Sequence, residues 1–263
     1  MKIITWNVNS VRLRIEQVAR LVAAEQPDVL CLQEIKCREA EFPMGAFRDM
    51  GYGYVRIAGQ KGYHGVATAA RRPFEAGPEI AVCRHGEARH ISVRLDGIDV
   101  HNFYLPAGGD EADRALNPKF DHKLSCFEAL EQHFMAQPSG QKVVLCGDLN
   151  IAPHEHDVFD HKYMSRVVSH TPVEIETMAR LRDSYDFTDV ARLHVPLDQK
   201  LFTWWSYRAA DFRASNRGLR LDHIWVSPAL RDRAQAGQHT VLVDARSWER
   251  PSDHAPVMVS LAV

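Results

Sequence analysis

Two short runs constrain this chain more than anything else in it: Val29-Leu30-Cys31-Leu32 and Val143-Val144-Leu145-Cys146. Neither shows the apolar/polar alternation of a strand with one wet face, so each reads as a strand buried on both faces, inside a sheet that must be covered on both sides. Both runs follow a stretch with helical spacing. Val11, Ile15, Val18 and Val22 precede the first, with Ser10 as the candidate N-cap and Pro27-Asp28 as the stop. Phe120, Leu124, Phe127, Leu130 and Phe134 precede the second. Lys2 to Trp6 is another β-rich run, so the chain opens strand, helix, strand. Each half then reads helix, apolar strand, polar strand end (Gln33-Glu34 and Asp148-Leu149-Asn150) and further strands, a weak echo rather than a solenoid repeat.

From Gly51 to Leu105 the texture is that of an antiparallel sheet: Tyr54 to Ala58, Val66 to Ala70, Ile80 to Cys83, His90 to Leu95, a turn at Asp96-Gly97, and Ile98 to Leu105. The last third predicts a helix over 173–183 and strand-like runs at 202–207, 219–226, 240–243 and 257–263. No Gly/Ser-rich linker, charge block or low-complexity segment divides the chain, so residues 1–263 are expected to form one domain. Two stacked sheets with helices outside would accommodate this pattern.

Charge narrows the function. Lys plus Arg total 32 against 34 Asp plus Glu, a formal net charge of -2, so a polyanion would have to be met by a local patch or through a bound cation. The N-terminus has no charged region, apolar stretch and small-residue cleavage site of a secretory signal, and no run approaches a membrane span. Five cysteines, odd in number and without a C-x-x-C pair, suggest neither a disulfide framework nor a zinc site. Reduced thiols in a cytoplasmic protein are the expectation.

Polar groups able to do chemistry gather at the ends of apolar strands: Asn7, Glu34, Tyr104, Asp148 with Asn150, Asp222 with His223, and Asp253 with His254. Strand ends bring distant segments to one rim, whereas a carboxylate within such a strand would be desolvated at large cost. Taken singly, each has a plain structural reading: Asn7 bonding locally, Tyr104 a half-buried sheet aromatic, Asp222 capping a turn. Together they suggest an oxygen-rich site for a hard divalent cation such as Mg²⁺ or Mn²⁺, which favours phosphate. There is no G-x-S-x-G elbow, G-x-x-x-x-G-K-[ST] loop or G-x-G-x-x-G turn, so esterase, nucleoside triphosphatase and dinucleotide readings lose their support and no nucleotide cofactor is expected. Metal-assisted phosphodiester hydrolysis by water remains.

Six segments carry a family resemblance: Thr5-Trp6-Asn7-Val8-Asn9, Leu32-Gln33-Glu34-Ile35-Lys36, Gly59-Gln60-Lys61-Gly62, Gly147-Asp148-Leu149-Asn150-Ile151-Ala152-Pro153, Asn216-Arg217-Gly218-Leu219-Arg220-Leu221-Asp222 and Pro251-Ser252-Asp253-His254-Ala255-Pro256. In order and spacing they resemble the exonuclease III branch of the endonuclease/exonuclease/phosphatase superfamily, related to the class II apurinic/apyrimidinic endonucleases. The resemblance implies a DNase I-like, four-layer α/β sandwich, two mixed β-sheets packed face to face and flanked by helices. It further implies a monomeric DNA-repair hydrolase on double-stranded DNA: 3′-to-5′ exonuclease, incision 5′ to abasic sites, and cleaning of blocked 3′ ends.

Carried over by position, it implies that Glu34 ligates the metal, with Asn7 and Asp253 close by and Asp148 and Asn150 able to reach a second position. Asp148 is the first choice for the base and His254, oriented by Asp222, for the imidazole on the scissile phosphate or a share of the acid/base work. Tyr104 and Asn150 would donate to the transition state. Trp204, Leu219 and Trp205, the last at a position where the family usually has Phe, would wall a pocket for a base-free sugar; without the family they read as core. Lys61, Arg89, Arg208, Arg213, Asn216, Arg217 and Arg220 would form the DNA-tracking patch, solvated surface being the plain alternative. Ala107 stands where the family often has Gln, and Pro172 to Thr177 lacks the expected acidic-aromatic ending. His154, His156 and His161 are better read as a surface loop than as a metal cluster. Two rivals stand beside this reading: a superfamily phosphatase on inositol phosphates or phospholipids, and a catalytically silent nucleic-acid-binding regulator.

Overall fold

The computed structural model describes residues 1–209 and 211–262. It holds two six-stranded mixed sheets. In the first the order is β13 (Gln238–Val241), β14 (Val257–Ser260), β1 (Lys2–Asn7), β2 (Val29–Gln33), β4 (Val66–Ala70) and β3 (Tyr54–Ala58). In the second it is β5 (Glu75–Ala76), β6 (His90–Leu95), β7 (Ile98–Tyr104), β8 (Val143–Asp148), β12 (Asp222–Val226) and β9 (Thr188–Asp189). A two-stranded ribbon pairs β10 (Trp204–Trp205) with β11 (Gly218–Leu219). The two buried apolar runs sit alike: β2 pairs parallel with β1 and β8 parallel with β7, each pair joined through a long helix, Ile15–Glu25 or Pro118–Met135.

The period-two alternation of those strands makes the layers. Ile3, Val29 and Cys31 point between the sheets, where they meet Val100, Val144, Cys146 and Ile224. Their neighbours Ile4, Leu30 and Leu32 point outward against Val18, Leu21 and Val22 of the first long helix. Val143 and Leu145 likewise face Phe127, Leu130 and Phe134 of the second and Leu181 of the Pro172–Asp183 helix. Every side chain of β2 and β8 is buried, as an unalternating apolar run requires.

Several boundaries depart from the sequence expectations. The first long helix begins at Ile15, not after Ser10, because the chain beyond Asn7 first continues alongside β2, with Val8, Ser10 and Val11 N–H groups donating to Gln33, Glu34 and Ile35 carbonyls. Residues 51–105 do not form one antiparallel sheet: β3 and β4 join the first sheet, β6 and β7 the second. Ile80 to Cys83 forms no strand; Pro78 interrupts pairing and a Val82 N–H to Ile80 carbonyl bond folds the segment on itself. The run at 219–226 breaks after Leu219, where Leu221 N–H turns to the Thr203 hydroxyl. Val263, the end of the last expected strand, lies outside the described residues.

Candidate active site

The carboxyl ends of β1, β7 and β8 and the amino end of the antiparallel β12 meet on one rim. Register puts Tyr104 and Asp222 beside Asp148, on the strands either side of it. Gly147 makes this possible: at φ +135° a Cβ would sit 1.9 Å from the Phe103 carbonyl oxygen, so only glycine lets β7 and β8 close there. From the other sheet Asn7 donates to Glu34 Oε1 beside it and, across the gap, to Asp148 Oδ2, both at 2.9 Å. Tyr104 hydroxyl donates to Glu34 Oε1 at 2.9 Å, and Lys36 Nζ lies 2.8 Å from Glu34 Oε2. Glu34 and Asn150 hold left-handed backbone, φ +49° and +56°, which turns each out of its strand onto the rim.

His254 is buried, with Nδ1 2.8 Å from Asp222 Oδ2 and Nε2 3.8 Å from Asp148 Oδ2. The same Asp222 oxygen accepts from the Thr203 hydroxyl at 2.6 Å, while Asp222 Oδ1 is buried with no partner among the described residues. Asp253 accepts from Trp204 Nε1 at 3.0 Å and Asn9 Nδ2 at 3.1 Å. Glu34, Tyr104, Asp148, Asp253 and His254 floor a cleft of about 490 Å³, also lined by Asn150, Leu219 and Met164.

Electrostatics separates the acids. Burial raises the Asp148 carboxyl to about 7 despite the nearby His254 charge. Burial works the other way on His254, but the Asp222 and Asp148 carboxylates outweigh it and lift the imidazole to about 10, so it is the imidazolium at neutral pH. Burial also acts to raise Glu34, yet hydrogen bonds from Asn7 and Lys36 hold it below the usual range. Asp253 is likewise lowered, His254, Trp204 and Asn9 outweighing its burial. Tyr104 is pushed well up by burial and the Glu34 charge, and stays a donor.

Carboxylate oxygens from Glu34, Asp148 and Asp253 opening on one cleft, one of them already facing an ammonium, make a donor set that fits a hard divalent cation. Asn7, expected close to the metal-holding Glu34, lies against it: its Oδ1 accepts from the Asn9 N–H at 3.1 Å, so its amide NH₂ faces the acids. Asn150 donates to the Leu105 carbonyl at 2.9 Å.

Three expectations are corrected by packing. Arg220 is 1 % exposed and clamped between Asp157 and Asp189, beyond the reach of any phosphate. Arg89 is buried too, paired with Glu87 and lying over the Tyr104 ring. Trp205 packs with Phe202, Phe212 and Ala255, away from the cleft that Trp204 and Leu219 line. Lys61, Arg208, Asn216 and Arg217 are exposed, Arg217 stacked on Phe159, while Arg213 is exposed but paired with Asp244. His154, His156 and His161 join neither of the ligand clusters found among the described residues; His161 instead contacts His170.

The sequence reading assigned no role to Thr203, Lys36, Asn9, Lys123 or Glu174. The first three lie within one or two residues of assigned positions or inside the quoted motifs. Lys123 carried no signal: it is wholly buried, donating to the Asn150 carbonyl at 2.7 Å and to Glu174 Oε1 at 2.5 Å. Glu174 lies in the segment that departs from the family pattern, and its carboxylate caps Ser169 and Thr171 N–H groups. No described helix is long and apolar enough to cross a membrane.

The endonuclease/exonuclease/phosphatase family model matches residues 4–254. Exodeoxyribonuclease III of Haemophilus influenzae is 34% identical over 98% of both chains. An AP endonuclease from Archaeoglobus fulgidus superposes with a TM-score of 0.92 at 30% identity, covering 100% of each chain. A 3′-5′ exonuclease (NExo) from Neisseria meningitidis, solved also as a 3′ phosphatase bound to product DNA hairpin, gives 0.90 at 36% identity, again over the whole of both chains.

Proposed function

Since this chain belongs to the endonuclease/exonuclease/phosphatase family, we propose that it is a metal-dependent DNA-repair phosphodiesterase: 3′-to-5′ exonuclease on double-stranded DNA, abasic-site endonuclease cutting 5′ to the lesion, and 3′-end-cleaning phosphatase. The observation that carries this reading is Asp148, held in register between Tyr104 and Asp222 and tied to Glu34 through Asn7 at the floor of a cleft walled by Trp204 and Leu219.

Glu34, with Asp148 and Asp253 nearby, would hold Mg²⁺ or Mn²⁺. Bound there, the ion supplies charge neutralisation on the phosphate and on the leaving 3′-oxygen. Asp148 takes a proton from the attacking water, a task suited to a buried carboxylate whose proton affinity burial raises. The water oxygen forms its bond to phosphorus as the bond to the 3′-oxygen breaks, and the leaving oxygen collects a proton from solvent. His254, charged and fixed through Nδ1 by Asp222, presents its other nitrogen to a non-bridging oxygen. Thr203 holds Asp222, Lys123 holds the Asn150 turn, and Tyr104 donates its hydroxyl to the developing charge. This division makes Asp148 the base and His254 the electrostatic partner. Trp204 and Leu219 would admit a base-free sugar, and Lys61, Arg208 and Arg217 would track the backbone. The enzyme would act as a cytoplasmic monomer folded as one domain over residues 1–263.

The test is a labelled duplex carrying one abasic-site analogue, incubated with Mg²⁺ or with EDTA beside an Asp148→Asn variant and an intact duplex. Metal-dependent incision 5′ to the lesion, reduced at least 100-fold in the folded variant, is the expected result. A folded protein that binds the duplex and cuts nothing with any divalent metal would overturn the enzyme reading.

A further inference from the structure

Away from the rim, one group of side chains joins three metal-ligating chemistries. Cys83 Sγ lies 3.2 Å from His122 Nε2 and 3.7 Å from Glu87 Oε2, and the ligating atoms of all three lie within 4.8 Å of one another. Cys83 and Glu87 come together because the chain turns tightly between them: Gly86 N–H donates to the Cys83 carbonyl at 3.1 Å, with Gly86 at φ +66°. His122 comes from the Pro118–Met135 helix, and its ring meets that of exposed His85 edge-on, centroids 4.3 Å apart.

Tetrahedral zinc holds thiolate sulfur at about 2.3 Å and imidazole nitrogen or carboxylate oxygen at about 2.0–2.2 Å, which sets neighbouring ligand atoms about 3.6 Å apart. The separations from Cys83 lie within a few tenths of an ångström of that. We propose that Cys83, Glu87 and His122 form a second metal site, for a borderline-soft divalent cation of the zinc class, with water completing the coordination. A set with sulfur and imidazole selects such an ion over magnesium, unlike the carboxylates of the rim. On binding, the thiol gives up its proton to solvent and the sulfur forms its bond to the ion. The ligand pattern is C-x-x-x-E with a distant histidine, which a search for C-x-x-C pairs passes over.

One oxygen links this site to the rim. Glu87 Oε2 also accepts from Arg89 Nε at 2.5 Å, and Arg89 lies over the Tyr104 ring and donates to the Tyr104 carbonyl at 3.1 Å. A cation on Glu87 competes with Arg89 for that oxygen and so loosens the support of Tyr104.

Titrating chelator-treated protein with Co²⁺, a spectroscopic stand-in for zinc, tests the site without reference to the nuclease reading. The wild type should develop a thiolate-to-cobalt band in the near ultraviolet that Zn²⁺ displaces. Cys83→Ser should lose the band, His122→Ala should weaken binding at least tenfold, and Glu34→Gln on the rim should keep the band, with circular dichroism showing each variant folded. No band in the folded wild type, or one that survives Cys83→Ser, overturns the proposal. Zn²⁺ added at saturating Mg²⁺ should slow abasic incision in the wild type more than in Cys83→Ser; equal slowing overturns the link to Tyr104.

Discussion

Arg220→Met separates the structural role of Arg220 from the DNA-contacting role its motif implies. The guanidinium reaches both oxygens of Asp157, at 2.8 and 2.9 Å, and both of Asp189, at 3.1 and 2.8 Å. Removing it leaves buried carboxylates with too little compensation, a loss of about 3–5 kcal/mol in comparable sites. The structure gives a similar scale: burial would raise Asp189, yet Arg220 outweighs it and holds the carboxyl near 2 against an ordinary 3.8. At ~1.4 kcal/mol per pKa unit, that carboxylate alone contributes about 2–3 kcal/mol. The folded value is depressed, so the contribution is present above the unfolded pKa and is lost as pH falls from there through about 2. In the variant the carboxylates protonate more readily, so the deficit should be largest near pH 7 and shrink as the pH is lowered toward 4. Urea unfolding at the two pH values measures this, and a melt at pH 7 should fall by roughly 10 °C. The salt dependence of duplex binding should be unchanged, whereas loss of one phosphate contact would flatten its log-log slope by about 0.9. Destabilisation below about 1 kcal/mol together with a flattened slope would refute the buried-clamp assignment.

Asp222→Asn should drop His254 from about 10 toward the ordinary imidazole range, moving the alkaline fall of activity to lower pH and costing roughly 10- to 100-fold in kcat; a His254 ¹⁵N titration that does not move would contradict it. Trp205→Ala should lose about 3–5 kcal/mol of stability while preserving any preference for abasic over intact duplex. Trp204→Ala should do the reverse, and a swapped pattern in denaturation and cleavage assays would show the two indoles misassigned. Gly147→Ala places a methyl on the Phe103 carbonyl, so a loss of about 3–5 kcal/mol is expected in chemical unfolding; a soluble variant within about 1 kcal/mol of wild type would mean β7 and β8 can part there without cost.

Layering was legible because it is written in the period of β2 and β8. A run that does not alternate must be covered twice, and the phenylalanines from Phe120 to Phe134 supply one cover. The division of strands between sheets was not legible, since β4 and β6 look alike in sequence and only long-range pairing decides that the chain crosses over between them. Strand ends carrying Glu34, Tyr104, Asp148, Asp222 and His254 were visible for a simple reason. One polar residue at a strand end needs only solvent to explain it, but acids, amides and imidazoles recurring at one strand end after another point to a shared site, and register brings them to one rim.

What sequence could not assign is the direction in which each group faces. The arginine of the Asn216-Arg217-Gly218-Leu219-Arg220 stretch that turns inward does so because Arg220 N–H joins the Asp157 carbonyl, which places its side chain over two acids 63 and 31 residues away in sequence. Arg217, three residues earlier, stays outside on Phe159. Asn7 shows the same limit at the scale of one amide: the Asn9 N–H claims its oxygen, which turns its NH₂ onto Glu34 and Asp148. That amide bears on the chemistry. Among the described residues it is the one neutral donor shared by both acids, and it helps hold Glu34 ionised, while burial and the Asp222 charge keep Asp148 near 7 against it and His254. Two carboxylates bridged by one amide are thereby pushed to opposite sides of neutrality's lower edge, one suited to hold a cation and the other to accept a proton.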